Sequence, residues 1–397
     1  MMYLLHGNVQ PYAWGGYDYI PRLLGNPPDR QPAAELWFGD HAQAPAGIEV
    51  EGGVQPLNQW LEEHAEDILS PQSIARFGRR LPFLLKILDV RLPLSIQLHP
   101  DKQQAEAGFA RENVQGVAHN AAERNYKDDN HKPENMIALS EFWLLHGFAE
   151  ESLILERINS RPSLASMGQW IRDKGVAQAY QEIMQADQAQ LSAWLSPLLA
   201  QSAPQEVSDN PDYWLHYAVQ AMEISPQKLD AGLISFYLFN IVRMNVGEGI
   251  FQRARLPHAY LRGQNVELMA ASDNVLRAGL TPKHVDIPEL LRIVDTAAVK
   301  PEIIVPSAEG SKVWHRYPAP VADYCFYSVH LAAGDEISLD CPQAGIVLPV
   351  QGRVTVSAQG QEMELSHAKA ALIGFGHRLV LRAHAESDVI FASSEIA

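Results

Sequence analysis

Cysteine is scarce in this chain, with two in 397 residues, Cys325 and Cys341. A disulfide framework is therefore excluded as the organising device. So is a thiolate metal site, which leaves nitrogen and oxygen as the only donors a metal could use. Positive charge is also in short supply. The 31 Lys and Arg stand against 47 Asp and Glu, a formal net charge of −16, and this argues against a nucleic-acid partner, whose phosphates need a basic surface. An anionic ligand would need a few cations to reverse the sign locally. Long hydrophobic runs are missing too. The longest, near 233–242, is too short for a bilayer and is broken by Asn240. The opening MMYLLHGNVQ has no basic segment followed by a long apolar one, so no signal peptide is read and a cytoplasmic location is expected.

What is present is ordinary in bulk: 47% hydrophobic and 20% charged residues, the balance of a soluble globular protein with room for two or three domains. The first ninety residues, rich in Gly, Pro and aromatics, read as short strands and turns, with Trp14 and Trp37 as core or pocket wall. A helix is expected over 57–69, with Leu57, Trp60, Leu61, His64 and Ile68 on one side, and a polar helix over 102–112. From about 150 to 230 Gly thins out and apolar residues recur at helical spacing, punctuated by Pro197, Pro204, Pro211 and Pro226. Trp170, Trp194 and Trp214 are expected to pack that helical insertion. Strand character resumes at LISFYLFNIVRM. From about Tyr324 the alternation of apolar and polar residues with Gly turns predicts a small antiparallel β-domain, in which His367 and His377 are structural.

Four stretches carry candidate chemistry. In PLSIQLHPDK (93–102), read as a strand, Ser95, Gln97 and His99 share one face and Leu94, Ile96 and Leu98 the other, with Pro100 ending it just after His99. Alone, this Gln-x-His pair is a weak metal signal. In LPFLLKILDV (81–90) a buried strand is interrupted by Lys86, ordinarily a snorkelling edge residue unless a pocket lies beside it. In HKPEN (131–135), Lys132 and Glu134 share a strand face while His131 and Pro133 take the other. The Lys132–Glu134 pair is either a surface ion pair or a base beside a metal ligand. Asp273 and Arg277 share a face on either a strand or a helix.

Together the stretches YAWG (12–15), AELW (35–38), PLSIQLHPDK, AAERNYKDDNHKPE (121–134) and HAYLRGQNVELMAASDNVLRAGLTPK (258–283) make a pattern that resembles the type I mannose-6-phosphate isomerases (phosphomannose isomerases), close to the bacterial form and over essentially the full length. The sequence departs from the family at Asn135, where Met is frequent, at Gln10 and Pro11 before YAWG, and at the extra Gly16. The resemblance implies a mainly β protein with a helical insertion: a cupin (jelly-roll) catalytic core over 1–149 and 241–318, the insertion over 150–240, and a second, metal-free jelly-roll-like domain over 319–397.

The resemblance also implies one zinc ion on Gln97, His99, Glu134 and His258, an all N/O set that leaves Fe²⁺, Mn²⁺ and Co²⁺ open. The implied reaction interconverts mannose 6-phosphate and fructose 6-phosphate through ring opening and a C2-to-C1 proton transfer. Lys132 or His131 would be the base. His131 faces away on an ideal strand but could be turned inward by Pro133. Asp273 would shuttle a proton to the ring oxygen or orient Arg277. Lys86, Ser95, Arg277 and Lys283 are the phosphate candidates, with Arg277 alternatively meeting the enediolate. A sugar phosphate is the expected partner and a monomer the expected state. Two rivals remain, a cupin dioxygenase and a non-catalytic sugar-phosphate sensor. The first would leave Lys86, Lys132, Arg277 and Lys283 without a task.

Overall fold

The computed structural model describes residues 1–28, 30–306 and 312–395. Residues 307–311 and 396–397, which fall within the expected catalytic and C-terminal segments, lie outside the described residues. Among the described residues no helix is long and apolar enough to cross a membrane.

A ten-stranded antiparallel sheet positions the site. Its main path runs through Phe239–Met244, Phe142–Phe148, His258–Ala270, Phe83–Val90, Glu35–Phe38 and Asn8–Gln10. Glu134–Ala138, Gly249–Gln252, Gln97–Leu98 and Leu276–Arg277 attach at its sides. Strand alternation sorts the side chains. Phe83, Leu85 and Ile87 turn to an apolar layer shared with Leu36, Phe38, Val266 and Leu268, while Lys86 projects from the opposite face. Leu5, Ile48, Ile346 and Leu348 of a second, eight-stranded sheet close that layer.

The eight-stranded sheet is mostly C-terminal in sequence, yet it includes the first strand of the chain. Met2–His6 runs antiparallel to Lys369–Ile373, with Met2 opposite Ile373. A four-stranded sheet covers its other side over an interior of Val329, Val347, Val354, Val356, Leu379, Leu381 and Phe391. This is the β-domain expected from Tyr324 onward.

The insertion is helical, as its spacing predicts. Glu151–Asn159, Ala165–Met184, Gln188–Leu199 and Pro211–Ala221 bury Trp194 and Trp214 in one core with Ile96 and with Leu98, Trp143, Ala259 and Leu261 of the ten-stranded sheet. Pro211 opens its helix, where a missing N–H costs nothing. Pro197, by contrast, lies inside the helix Gln188–Leu199.

Three local expectations are corrected. LISFYL is two short helical turns, Ala231–Ile234 and Ser235–Leu238, and the strand begins only at Phe239. Asp230 nucleates the first turn by accepting from the Gly232 N–H at 2.7 Å, and a run apolar on all sides does not reveal its period. In the helix Leu57–Ile68, His64 is half-exposed. Its backbone leaves helical geometry (φ −118°, ψ 16°) and the imidazole stacks outward on Trp60. The strand expected over 93–99 is short, Gln97–Leu98, and stops before His99.

Candidate metal centre and active site

His99, Glu134 and His258 come together from three separate elements and are almost wholly buried. His99 Nε2 lies 3.2 Å from Glu134 Oε1, and His258 Nε2 lies 3.2 Å from Glu134 Oε2. The Nδ1 atoms decide what the Nε2 atoms can do. His99 Nδ1 is 2.7 Å from the Asn274 carbonyl and His258 Nδ1 is 2.9 Å from the Leu256 carbonyl. A carbonyl only accepts, so each Nδ1 carries the proton and each Nε2 presents a lone pair. Both Nε2 atoms and Glu134 Oε2 are buried with no hydrogen-bond partner. Three acceptors facing one another without a donor is the arrangement a divalent cation resolves, and the backbone carbonyls fix the tautomers it needs.

The protonation states agree with that donor set. Burial pushes the His99 imidazole down to about 4, against the attraction of Glu134. Burial opposes the Glu134 charge as well, but His99, Lys132 and His258 outweigh it and hold the carboxyl well below the usual range.

Register sets Gln97 beside His258. Its backbone pairs with His258 on one side and with Arg277 on the other. Directly opposed residues project from the same face, so Gln97 and Arg277 line up beside the His258 imidazole. His146, opposite His258 on its other flank, extends the row. Sequence reading passed over His146. It is buried, donates from Nδ1 to Gln252 Oε1 at 2.9 Å, and is held neutral by burial, down to about 4.

Alternation through 131–135 separates chemistry from support. Lys132 and Glu134 point inward, with Lys132 Nζ 3.2 Å from Glu134 Oε1. His131 and Asn135 point the other way. His131 Nε2 is 3.0 Å from Asp323 Oδ2, and Asn135 Nδ2 donates to the Tyr317 carbonyl at 3.0 Å. Pro133 has not turned His131 inward. The segment joining the two β units therefore grips the back of the stretch that carries Lys132.

Lys86 does not snorkel. It is 7% exposed, with Nζ 3.5 Å from Glu35 and 3.4 Å from Glu267, over the Trp37 ring at 5.0 Å. Burial alone would weaken its hold on a proton, but Glu35, Glu267 and Glu134 more than offset this and bind the proton more tightly than usual. Trp37 Nε1 donates to Glu35, and the Tyr260 hydroxyl donates to Glu267 Oε2 at 2.7 Å.

Glu267 was not read as a site residue, for a definite reason. Counting alternately from His258 puts Glu267 on the opposite face. Up to Leu261, His258 and Tyr260 face inward while Ala259 and Leu261 meet the helices. Beyond Gly263, Glu267 and Met269 face inward while Val266 and Leu268 meet the second sheet. A register shift between Tyr260 and Arg262, with Gly263 at φ +121°, reverses the parity. A Cβ at Gly263 would come within 2.6 Å of the Glu141 carbonyl oxygen, so the kink requires glycine.

Asp273 and Arg277 do not form an ion pair among the described residues. Asp273 meets His41, whose Nε2 lies 3.0 Å from both carboxylate oxygens. His41 is a second residue that sequence reading missed, because it sits in a loop where no periodicity points anywhere. Arg277 is half-buried, and neither its guanidinium nor the Lys283 ammonium nor the Ser95 hydroxyl has a hydrogen-bond partner among the described residues. Burial lowers the Arg277 and Lys283 affinities for a proton, and the Arg277 charge disfavours the Lys283 ammonium further. A cavity of about 490 Å³ is walled in part by His41, Asp273, Lys102 and Lys127; His99, Glu134 and His258 do not line it.

A family model described as phosphomannose isomerase type I, catalytic domain, matches residues 2–151. Mannose-6-phosphate isomerases of Shigella flexneri and of Escherichia coli (strain K12) are each 37% identical over 381 residues, covering 94% of this chain and 94% of their own. A crystal structure of mannose 6-phosphate isomerase from Salmonella typhimurium bound to substrate (fructose 6-phosphate) and zinc superimposes with a TM-score of 0.86 at 33% identity, covering 100% of both chains. With likeness of sequence and fold running from end to end, the chain belongs to the type I phosphomannose isomerase family.

Proposed function

We propose that this protein is a metal-dependent aldose–ketose isomerase that interconverts mannose 6-phosphate and fructose 6-phosphate. The observation that carries the proposal is the meeting of two imidazole lone pairs and one carboxylate oxygen, Glu134 Oε2, buried and without a donor, beside Lys132. Family membership supplies the substrate class.

His99, Glu134 and His258, with the Gln97 amide oxygen, would hold zinc, which when bound supplies Lewis-acid stabilisation of negative charge on substrate oxygens. The chain's own groups divide the remaining work. The phosphate falls to Arg277, Lys283 and Ser95, whose side-chain polar atoms have no hydrogen-bond partner among the described residues. Lys86 already faces two carboxylates, so its role in this reading is to balance Glu35 and Glu267. Asp273 moves the proton that opens the sugar ring. Lys132 withdraws the C2 proton and returns it to C1, passing through an enediolate. His131, turned to Asp323, is assigned to support in this reading. A buried, water-poor site strengthens each of these interactions.

The division into 1–149 with 241–318, 150–240 and 319–397 belongs to the same reading, with Met2–His6 lent to the C-terminal sheet. So do a monomeric state, which sedimentation would measure, and a cytoplasmic location, consistent with two free thiols.

The test is direct. The purified protein is stripped with a chelator, reloaded with Zn²⁺, Fe²⁺, Mn²⁺ or Co²⁺, and assayed for fructose 6-phosphate from mannose 6-phosphate. Absence of turnover in every metal state defeats the proposal, and oxygen uptake would favour a dioxygenase.

A further inference from the structure

We propose that His41 is a positioning residue for ring opening, aiming the Asp273 carboxylate at the substrate and keeping it ionised. The inference rests on the isomerase reading above and adds to it a residue outside the metal and phosphate sets.

The geometry fixes which proton His41 offers. The Gln43 backbone N–H donates to His41 Nδ1 at 3.2 Å, so Nδ1 is the lone-pair nitrogen and Nε2 bears the hydrogen. That N–H points at Asp273, sharing itself between the two oxygens at 3.0 Å each. The imidazole is seated edge-on against Trp37 at 4.9 Å and its side chain is 16% exposed. Asp273 is anchored from the other side. Its own N–H donates to Asp128 Oδ2 at 2.8 Å, and the neighbouring Ser272 hydroxyl donates to Asp128 Oδ1 at 2.7 Å. Both His41 and Asp273 line the 490 Å³ cavity.

A carboxylate held in this way can open a pyranose ring without any outside reagent. Asp273 takes the proton of the anomeric hydroxyl as the C1=O bond forms and the bond from C1 to the ring oxygen breaks. It then gives that proton to the ring oxygen, which becomes a hydroxyl. The carboxylate ends as it began, so atoms and electrons balance. The step needs the ionised form at the start, and this is where the surroundings matter. Burial raises the Asp273 carboxyl, but the His41 hydrogen bond and the charges of Lys132 and Lys86 outweigh it and hold the group below its ordinary value. Lys127 and Tyr12 also lie within reach of the Asp273 charge, and Asp128 acts on the backbone alone.

The experiment compares the zinc-loaded wild type with H41F, H41Q, D273N and H41F/D273N in the direction of fructose 6-phosphate formation, across pH. H41F keeps a ring on Trp37 but has no N–H. H41Q offers an amide N–H near the place of Nε2. In H41F the acid limb of kcat/KM is expected to move up by about one pH unit, so that activity at a fixed pH on that limb falls on the order of tenfold with zinc content unchanged. H41Q is expected to return the limb toward the wild-type position. In the D273N background, H41F is expected to add no further loss, because it acts through the group already altered. An H41F profile that superimposes on the wild type, or a loss that persists in full in D273N, overturns the inference while leaving the isomerase reading standing. A wild type silent in every metal state removes the reading itself, and this inference with it.

Discussion

Two β units of this molecule fill their interiors in opposite ways. The C-terminal sandwich packs Val329, Val347, Val354, Leu379, Leu381 and Phe391 between its sheets. The inward face of the ten-stranded sheet instead carries Glu35, Lys86, Lys132, Glu134 and Glu267, together with His99, His146 and His258, each less than a tenth exposed. Burying one ion costs several kcal/mol even after relaxation, and an ion-paired core is often no more stable than an apolar one of the same volume. The sandwich shows that this chain can build the apolar alternative. The polar interior is thus a concession of stability for chemistry, made tolerable because its charges come in opposite signs and its imidazoles are tied to carbonyls.

That contrast is open to attack from the polar side first. His258→Ala removes one of three converging donors, and both metal content and turnover are expected to fall, turnover by roughly a thousandfold. Stoichiometric metal in the variant, measured by atomic emission, would take His258 out of the ligand set. Lys132→Ala is expected to keep its metal and lose kcat by about 10²–10⁴-fold. Normal turnover would show that the buried ammonium balances Glu134 and does no proton chemistry.

At the seam between the units a smaller effect is expected. Asp323→Asn keeps an oxygen facing His131 but drops the charge, which should loosen the back of the stretch that carries Lys132 and cost a few-fold in kcat, about the effect of weakening one charged hydrogen bond. Metal content and thermal midpoint should change little, and a kcat equal to wild type would mean that the seam does not tune the site. On the apolar side the activity effect should vanish. Leu381→Ala opens a cavity worth about 2–5 kcal/mol of stability, read from denaturant unfolding, while kcat of the folded protein stays the same. A fall in kcat there would tie the sandwich interior to the chemistry and blur the distinction between the two units.

The sequence by itself determined much of what lives on one unbroken strand or helix. A period of two placed Lys132 with Glu134 and set His131 against them, and it placed Gln97 opposite Ile96 and Leu98, because a pleated backbone allows no other choice. The spacing of apolar residues marked the helical insertion and the terminal β-domain for the same local reason. The metal set itself was read from family resemblance, since no local rule joins position 99 to position 258. Tertiary structure decided what crosses between elements. Lys86 looked like a surface residue until Glu35 and Glu267, the latter 181 residues further on, closed around it. Glu267 was hidden by a parity reversal at Gly263 that is a property of the backbone, required by the close approach of Glu141. His41 was hidden because a loop has no period, and only the folded chain brings it within 3.0 Å of Asp273. Short-range sterics are written along the chain, whereas charge pairing depends on distances that exist only once the sheets have formed.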